Sequence, residues 1–284
     1  MKKFQCDTEN NCFFTIDTVK IYLDKMNKRV KIFDSDSITI QTLEKIKGFA
    51  SVNQAGKIIG NAVLSHVKLF TQAGFCIEGK IDGFFKGTDA YCVSYFMDGK
   101  RKISENQEQK DKIIAQCLMS DSRYIAGGSN NPPYSIRTAA QRDIGEIAAL
   151  FSTVFSTYPT PVYDEEYLRQ TMNGKILYKV AEYEGKIIGI ASADMDMENR
   201  NAEMTDCATY PEYRGKGVLS NIIYELESEL KNRNFITLYS LSRAVNTGIN
   251  MVLYKHQYKY RGRLINNCNI CGAFEDMNIW IKMI

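Results

Sequence analysis

Pro211-Glu212-Tyr213-Arg214-Gly215-Lys216-Gly217-Val218 lies between a short stretch, 203–209, that reads as a strand, and a run whose Val218, Leu219, Ile222, Ile223, Leu226 and Leu230 recur at helical spacing. A strand, a glycine-rich turn and a helix entrance together make a cradle for an anion. The first N–H groups of a helix have no partner inside it and carry the positive end of its dipole. Glycine lets them close on a diphosphate with no Cβ in the way.

Working outward, residues 235–241 read as a strand, 247–258 as a helix, and 262–266 and 277–282 as two closing strands. Upstream, 134–138 looks like a strand, and Ile144, Ile147, Ala148, Phe151 and Phe155 mark one apolar helix face. Asp164 is placed to cap a short helix with Tyr167 and Leu168. Residues 177–182 and 186–193 alternate as strands around a Glu184-Gly185 turn. Gly127-Gly128-Ser129-Asn130-Asn131-Pro132-Pro133 suits neither helix nor central strand, so the chain divides into 1–126, a linker at 127–133, and 134–284.

Composition narrows the class. The 284 residues are 44% hydrophobic and 24% charged, enough for a sizeable core, and the net charge is +3. With a pI near 8.3 and no block of like charge, neither a nucleic-acid track nor a membrane-surface helix is indicated. No apolar run is long enough to span a bilayer, and Met1-Lys2-Lys3 leads into Gln, Cys and Asp, so a cytoplasmic protein is expected. Eight cysteines at irregular spacing are expected as free thiols. Cys268-Asn269-Ile270-Cys271 has the spacing of a metal half-site, but no second close pair accompanies it, and no metal is expected.

The cradle resembles the coenzyme A site of the GNAT acetyltransferases, whose usual pattern is Arg/Gln-x-x-Gly-x-Gly/Ala. Arg214, Gly217 and the position of Leu219 map onto it, with Leu219 standing where a small residue is usual. The resemblance implies an α/β (α+β) GNAT fold over 134–284 and acetyl-CoA as cosubstrate, with Arg214, Gly215, Lys216, Gly217 and Val218 at its diphosphate. A backbone N–H near Ala208 or Thr209 is then expected to polarise the thioester carbonyl. The phrase from Asn246 to Tyr254 resembles the family's Asn…Leu-Tyr-x-x-x-Gly-Phe signature, with Gln257 in place of the glycine. This implies Asn246 at the cofactor and Tyr254 as the acid that protonates the departing thiolate.

An amine acceptor must lose a proton whose pKa is near ~10.4, so a base is needed. Glu203 and Asp206 lie on the strand feeding the cradle. Three positions apart, they face opposite sides of a regular strand, and only a bulge brings both to one cleft.

The first half carries an echo. Leu69-Phe70-Thr71-Gln72-Ala73-Gly74-Phe75, then Glu78-Gly79-Lys80-Ile81 and a strand at 91–96, parallel Leu253-Tyr254 to Tyr258, Arg261-Gly262-Arg263-Leu264 and 277–281. A hairpin at 13–33, a helix near 38–49 and a strand at 57–64 would complete a truncated GNAT-like copy. In it Phe70 stands where Tyr254 stands, and no cradle precedes it.

Gly262-Arg263-Leu264-Ile265-Asn266-Asn267-Cys268-Asn269-Ile270, the ending Glu275-Asp276-Met277-Asn278-Ile279-Trp280 and the strand Ala202 to Thr209 are similar to the β-lysine Nε-acetyltransferases over nearly the whole chain. That resemblance implies acetylation of the terminal amine of β-lysine to give a zwitterionic compatible solute used in osmotic stress. Arg243 is the candidate for the substrate carboxylate. Asn266, Asn267 and Asn269 are candidates for amide contacts. Another diamine, polyamine or amino acid is the alternative acceptor, and a non-catalytic acyl-CoA module the alternative outside enzymology.

Overall fold

Alternating β-branched and aromatic residues build much of this chain into strands. The computed structural model describes residues 2–8, 11–33, 37–121, 123–124 and 132–284, with side chains from residue 11 onward. In the first half, β1 (Lys2–Thr8), β2 (Asn11–Ile16), β3 (Val19–Asp24) and β4 (Arg29–Ile32) form a meander. They are followed by α1 (Ile40–Val52), β5 (Lys57–Ala62), α2 (Leu64–Gln72), β6 (Cys76–Phe85), β7 (Thr88–Phe96) and α3 (Gln107–Leu118). The second half runs β8 (Ser135–Thr138), α4 (Ile144–Val154), α5 (Glu165–Met172), β9 (Ile176–Tyr183), β10 (Lys186–Asp196) and β11 (Asn201–Thr209). It closes with α6 (Val218–Asn232), β12 (Thr237–Arg243), α7 (Thr247–Lys255), β13 (Lys259–Ile270) and β14 (Ala273–Met283).

The expected hairpin at 13–33 is three strands, because Asp24, Asn27 and Arg29 tie a second turn together (Asn27 Nδ2 to Asp24 Oδ1, 2.9 Å; Arg29 Nε to Asp24 Oδ2, 2.8 Å). Asp164 caps α5, accepting from the Glu166 and Tyr167 amides as its spacing implies. The expected linker lies outside the described residues except for its two prolines. Cys76, Cys92, Cys117, Cys207, Cys268 and Cys271 are free thiols as expected, while Cys12 is disulfide-bonded, which corrects the expectation for that residue. Among the described residues no helix is long and apolar enough to cross a membrane.

Among the described residues, all fourteen strands join one sheet, in the order β1-β2-β3-β4-β5-β7-β6-β13-β14-β12-β11-β10-β9-β8. Read from its centre outward, the sheet repeats itself. On one side β6, β7, β5 and β4 follow one another; on the other, β13, β14, β12 and β11 do the same. The β4–β5 and β11–β12 pairs are parallel and the intervening pairs antiparallel.

The halves meet where Gly79 of β6 pairs with Gly262 of β13. A Cβ on Gly79 would lie 2.8 Å from the Arg261 carbonyl, and Gly262 sits at φ +140° with its missing Cβ directed at the Glu78 backbone. Glycine is required on both strands for the backbones to approach.

Polar locks flank this join. Lys57 Nζ pairs with Glu78 Oε2 at 2.6 Å and donates to the Ile265 carbonyl at 2.7 Å, while Glu78 Oε1 accepts from the Ile265 amide. Arg101 donates to the Asn266 carbonyl and lies 3.7 Å over the Phe274 ring. Lys110 of α3 pairs with fully buried Asp276 at 2.8 Å. Buried charges left unpaired would cost several kcal/mol each, so these contacts hold the halves in one arrangement.

Candidate active site

Parallel pairing of β11 with β12 stops at Glu203–Tyr239, and beyond it the strands splay. Ser240 Oγ bridges the opening by donating to the Met204 carbonyl at 2.7 Å. The splay leads to a cavity of about 640 Å³ whose wall includes Thr209, Arg214, Gly215, Gly217, Val218 and Leu219. Gly215 and Gly217 have φ of +75° and +77° with open space where a Cβ would stand. No side chain caps the entrance of α6. An uncapped helix end opening into a cavity, with a buried Thr209 Oγ1 lacking a partner beside it, fits a diphosphate-bearing cofactor such as coenzyme A. Arg214 lines the cavity, and its Nε donates to the Thr209 carbonyl at 3.1 Å, which pins the turn to β11. Lys216 lies 5.3 Å over the Tyr213 ring.

Thr209 and Ala208 have different places. The Tyr210 amide donates to Ile188 on β10, so ladder alternation turns Ala208, two residues away, toward β10 as well and turns the Thr209 amide toward the splay. Ala208 is buried and does not line the cavity.

A second cavity, about 550 Å³, lies between the halves of the chain. Tyr158, Thr205 and Asp206 line both cavities, so one opens onto the other beside the Asp206 carboxylate. Along β11 the register passes from Ala208–Ile190 to Thr205–Ser192, one residue more than on β10, and Asp206 sits at φ +48°. This is the bulge that brings Glu203 and Asp206 to one wall.

Asp206 Oδ2 accepts from Ser192 Oγ at 2.7 Å. Burial raises the Asp206 pKa to about 6, opposed by the hydrogen bonds from Ser192 and Tyr158. Burial, reinforced by the neighbouring charge of Asp194, raises Glu203 to about 7, and Tyr239 donates to its Oε2 at 3.3 Å. Each group holds a proton to near neutrality unless a cation arrives. On the facing wall β4 contributes Arg29 and Lys31.

Tyr254 is not brought to the cleft. Its hydroxyl donates to the Leu118 carbonyl at 3.4 Å, while Gly248, Met251, Val252 and Lys255 form the cavity face of α7. The reason is a register slip of one residue. The left-handed residue ending α7 is Gln257 (φ +69°), as Gly74 (φ +82°) ends α2, and four positions before each stand Leu253 and Phe70, both fully buried. The amides of Tyr258 and Phe75 return to the Leu253 and Phe70 carbonyls. Phe70 therefore corresponds to Leu253, not to Tyr254.

Arg243 does not line the second cavity. It lines the cofactor cavity and pairs with Glu275 at 2.7 Å. Asn266 donates through Nδ2 to the Arg101 and Ile103 carbonyls, and the Asn269 amide donates to Asn27 Oδ1. Both fasten the halves together and neither lines the second cavity. Asn267 does line it, with a buried Oδ1 that has no partner. Asn246 caps α7 and lines the cofactor cavity. Other polar groups of the chain's ending are satisfied internally: fully buried Asn250 Oδ1 accepts from Ser242, Asn278 and Trp280 and fixes α7 on the sheet.

Residues 144–255 match the acetyltransferase (GNAT) family. A beta-lysine N(6)-acetyltransferase of Methanosarcina mazei is 38% identical over 258 residues, 84% of this chain and 95% of that protein. The chain belongs to the GNAT acetyltransferases. N-acetyltransferase YodP of Bacillus subtilis is 34% identical over 92% of this chain and 94% of its own length. A beta-lysine N(6)-acetyltransferase of Methanococcus maripaludis is 29% identical over 93% and 95%. In this acetyltransferase Tyr158, Asp194, Arg29 and Lys31 line the second cavity, though nothing in their local sequence marks them. Their positions depend on the pairing of β6 with β13 and on how the loop before α5 folds over β11, neither of which local periodicity encodes.

Proposed function

We propose that this acetyltransferase transfers the acetyl group of acetyl-CoA to the terminal amine of β-lysine. The observation that carries the reading is the position of Asp206, where the cofactor cavity meets a cavity rich in carboxylates. Glu203, Asp194 and Asp206 attract a molecule with two ammonium groups, and Asp206 takes the proton of the one nearest the junction. Acetyl-CoA supplies a thioester whose carbonyl carbon the freed amine attacks. The Thr209 N–H donates to the oxygen on which charge develops, and the uncapped start of α6 with Gly215 and Gly217 holds the diphosphate. Tyr158, hydrogen-bonded to Asp206, stands where a phenol returns a proton to the leaving thiolate.

Residues 134–284 are in this account the catalytic unit and 1–126 a degenerate GNAT-like unit lacking the cradle, with 127–133 between them. The product, a zwitterion without net charge, suits accumulation in the cytoplasm as a compatible solute under osmotic stress. The relatives named for β-lysine support that choice of acceptor. The test incubates the purified protein with acetyl-CoA and β-lysine and locates the acetyl group by NMR. Acetylation of the terminal nitrogen is expected; acetylation of the β-nitrogen, or no thiol release, rejects the proposal.

A further inference from the structure

We propose that Lys31, on β4 of the first half, recognises the carboxylate of the acceptor, so that the half without a cradle sets specificity for the half that has one. The inference rests on the reading of the chain as an amino-acid acetyltransferase.

The internal repeat gives the geometry. Lys31 pairs with Ile59 across the parallel β4–β5 ladder, Ile59 with Ser94, and Ser94 with Cys76, three residues before Gly79. Glu203 pairs with Tyr239 across the parallel β11–β12 ladder, Tyr239 with Ile281, and Ile281 with Lys259, three residues before Gly262. Both ladders carry an irregularity just before the central glycine. Lys31 and Glu203 therefore occupy the same position of the repeated fold. Because the two copies meet at Gly79 and Gly262, corresponding faces converge on one cavity, and both residues line it. One copy offers a carboxylate there and the other an ammonium.

Among the described residues, the cavity wall carries three cations, Arg29, Lys31 and Lys175. Arg29 is committed: its Nε pairs with Asp24 at 2.8 Å and its Nη1 donates to the Asn267 carbonyl at 2.8 Å and to Cys268 Sγ. Lys175 pairs with Asp194 at 3.1 Å, with its side chain 69% exposed toward the rim. Lys31 is held more loosely: its ammonium is 3.9 Å from Asp24 and 5.8 Å from the centre of the Tyr22 ring, and its side chain is one-third exposed (34%). An acceptor with a carboxylate at one end and ammonium groups beyond it matches a wall that is cationic on β4 and anionic on β11. A diamine has nothing to place on Lys31.

The test compares steady-state kinetics of the wild type, Lys31→Met and Lys31→Arg with β-lysine, lysine and pentane-1,5-diamine, after confirming that all three proteins melt alike and bind acetyl-CoA alike. Lys31→Met is expected to raise KM for the carboxylate-bearing acceptor roughly 10- to 100-fold, the range of a charged hydrogen bond, with kcat and the diamine parameters little changed. Lys31→Arg should restore most of the loss. An unchanged KM for the preferred amino acid overturns the role of Lys31 while leaving the acetyltransferase reading intact. Preference for lysine over β-lysine, with KM still rising in Lys31→Met, removes β-lysine as acceptor and upholds Lys31. A wild type that prefers pentane-1,5-diamine overturns both.

Discussion

Glu203 and Asp206, three positions apart on one strand, line the same cavity because the chain bulges at Asp206, whose φ is +48°. A regular strand would send one of them to the opposite face of the sheet. The bulge sets two carboxylates and their neighbour Asp194 around one space, and burial keeps Asp206 and Glu203 protonated to about 6 and about 7. In the proposed function this gives a base matched to neutral pH and an attraction for an acceptor with two positive charges.

The pH profile follows from Asp206. As the base it must be ionised, so log kcat/KM is expected to rise with pH through a midpoint near 6. Asp206→Asn should cost about 10²- to 10⁴-fold in kcat and abolish that limb. Stability moves the other way. A carboxyl raised from 3.8 in the unfolded chain to about 6 contributes stability that is complete below 3.8 and lost as pH rises through 6. Asp206→Asn should therefore melt higher than wild type at pH 8, by an amount on the order of 2 kcal/mol.

Gly217→Asp places a side chain and a negative charge at the uncapped entrance of α6, at a left-handed φ of +77°. Calorimetry is expected to show acetyl-CoA affinity reduced at least ~100-fold while the protein remains folded. Unchanged binding by the folded variant would remove the cradle from the account.

The two tyrosines should separate. Tyr254→Phe removes a hydroxyl whose partner is the Leu118 carbonyl, away from both cavities, and turnover should stay within about twofold of wild type. Tyr158→Phe removes the hydroxyl bonded to Asp206, and kcat should fall on the order of 10²-fold under conditions where chemistry limits the rate. The reverse ranking would restore Tyr254 to the mechanism.

The join between the halves is equally testable. Gly262→Ala introduces a Cβ against the Glu78 backbone at φ +140° and is expected to destabilise the protein by about 2 kcal/mol or more in denaturant unfolding. Because the acceptor cavity depends on that join, KM for the amine should suffer more than KM for acetyl-CoA.

What the sequence discloses is what depends on neighbours along the chain. Arg214 to Val218 reads as a helix entrance because glycines and an apolar helical face sit within one turn of each other, and the structure has an uncapped helix there. Tyr254 stands one residue out of register with the signature, because the signature counts back from the left-handed residue ending the helix and that residue is Gln257, which does not announce itself as glycine does. Asn266 and Asn269 suggest a polar ligand, but the Asn266 side chain fastens to the Arg101 and Ile103 carbonyls and the Asn269 backbone amide to Asn27. The repeat was visible around Gly79 and Gly262. Its consequence was not, because the meeting of Lys31 with Glu203 is created by strand pairing across nearly the whole chain.

The most direct measurement of the central claim is a competition in one vessel: equimolar β-lysine, lysine and pentane-1,5-diamine with limiting acetyl-CoA, and the products quantified by mass spectrometry. The account predicts that terminal Nε-acetyl-β-lysine dominates by at least about tenfold, the discrimination expected when one charged contact is gained or lost. Acetylated diamine as the main product, or equal labelling of all three amines, would contradict it.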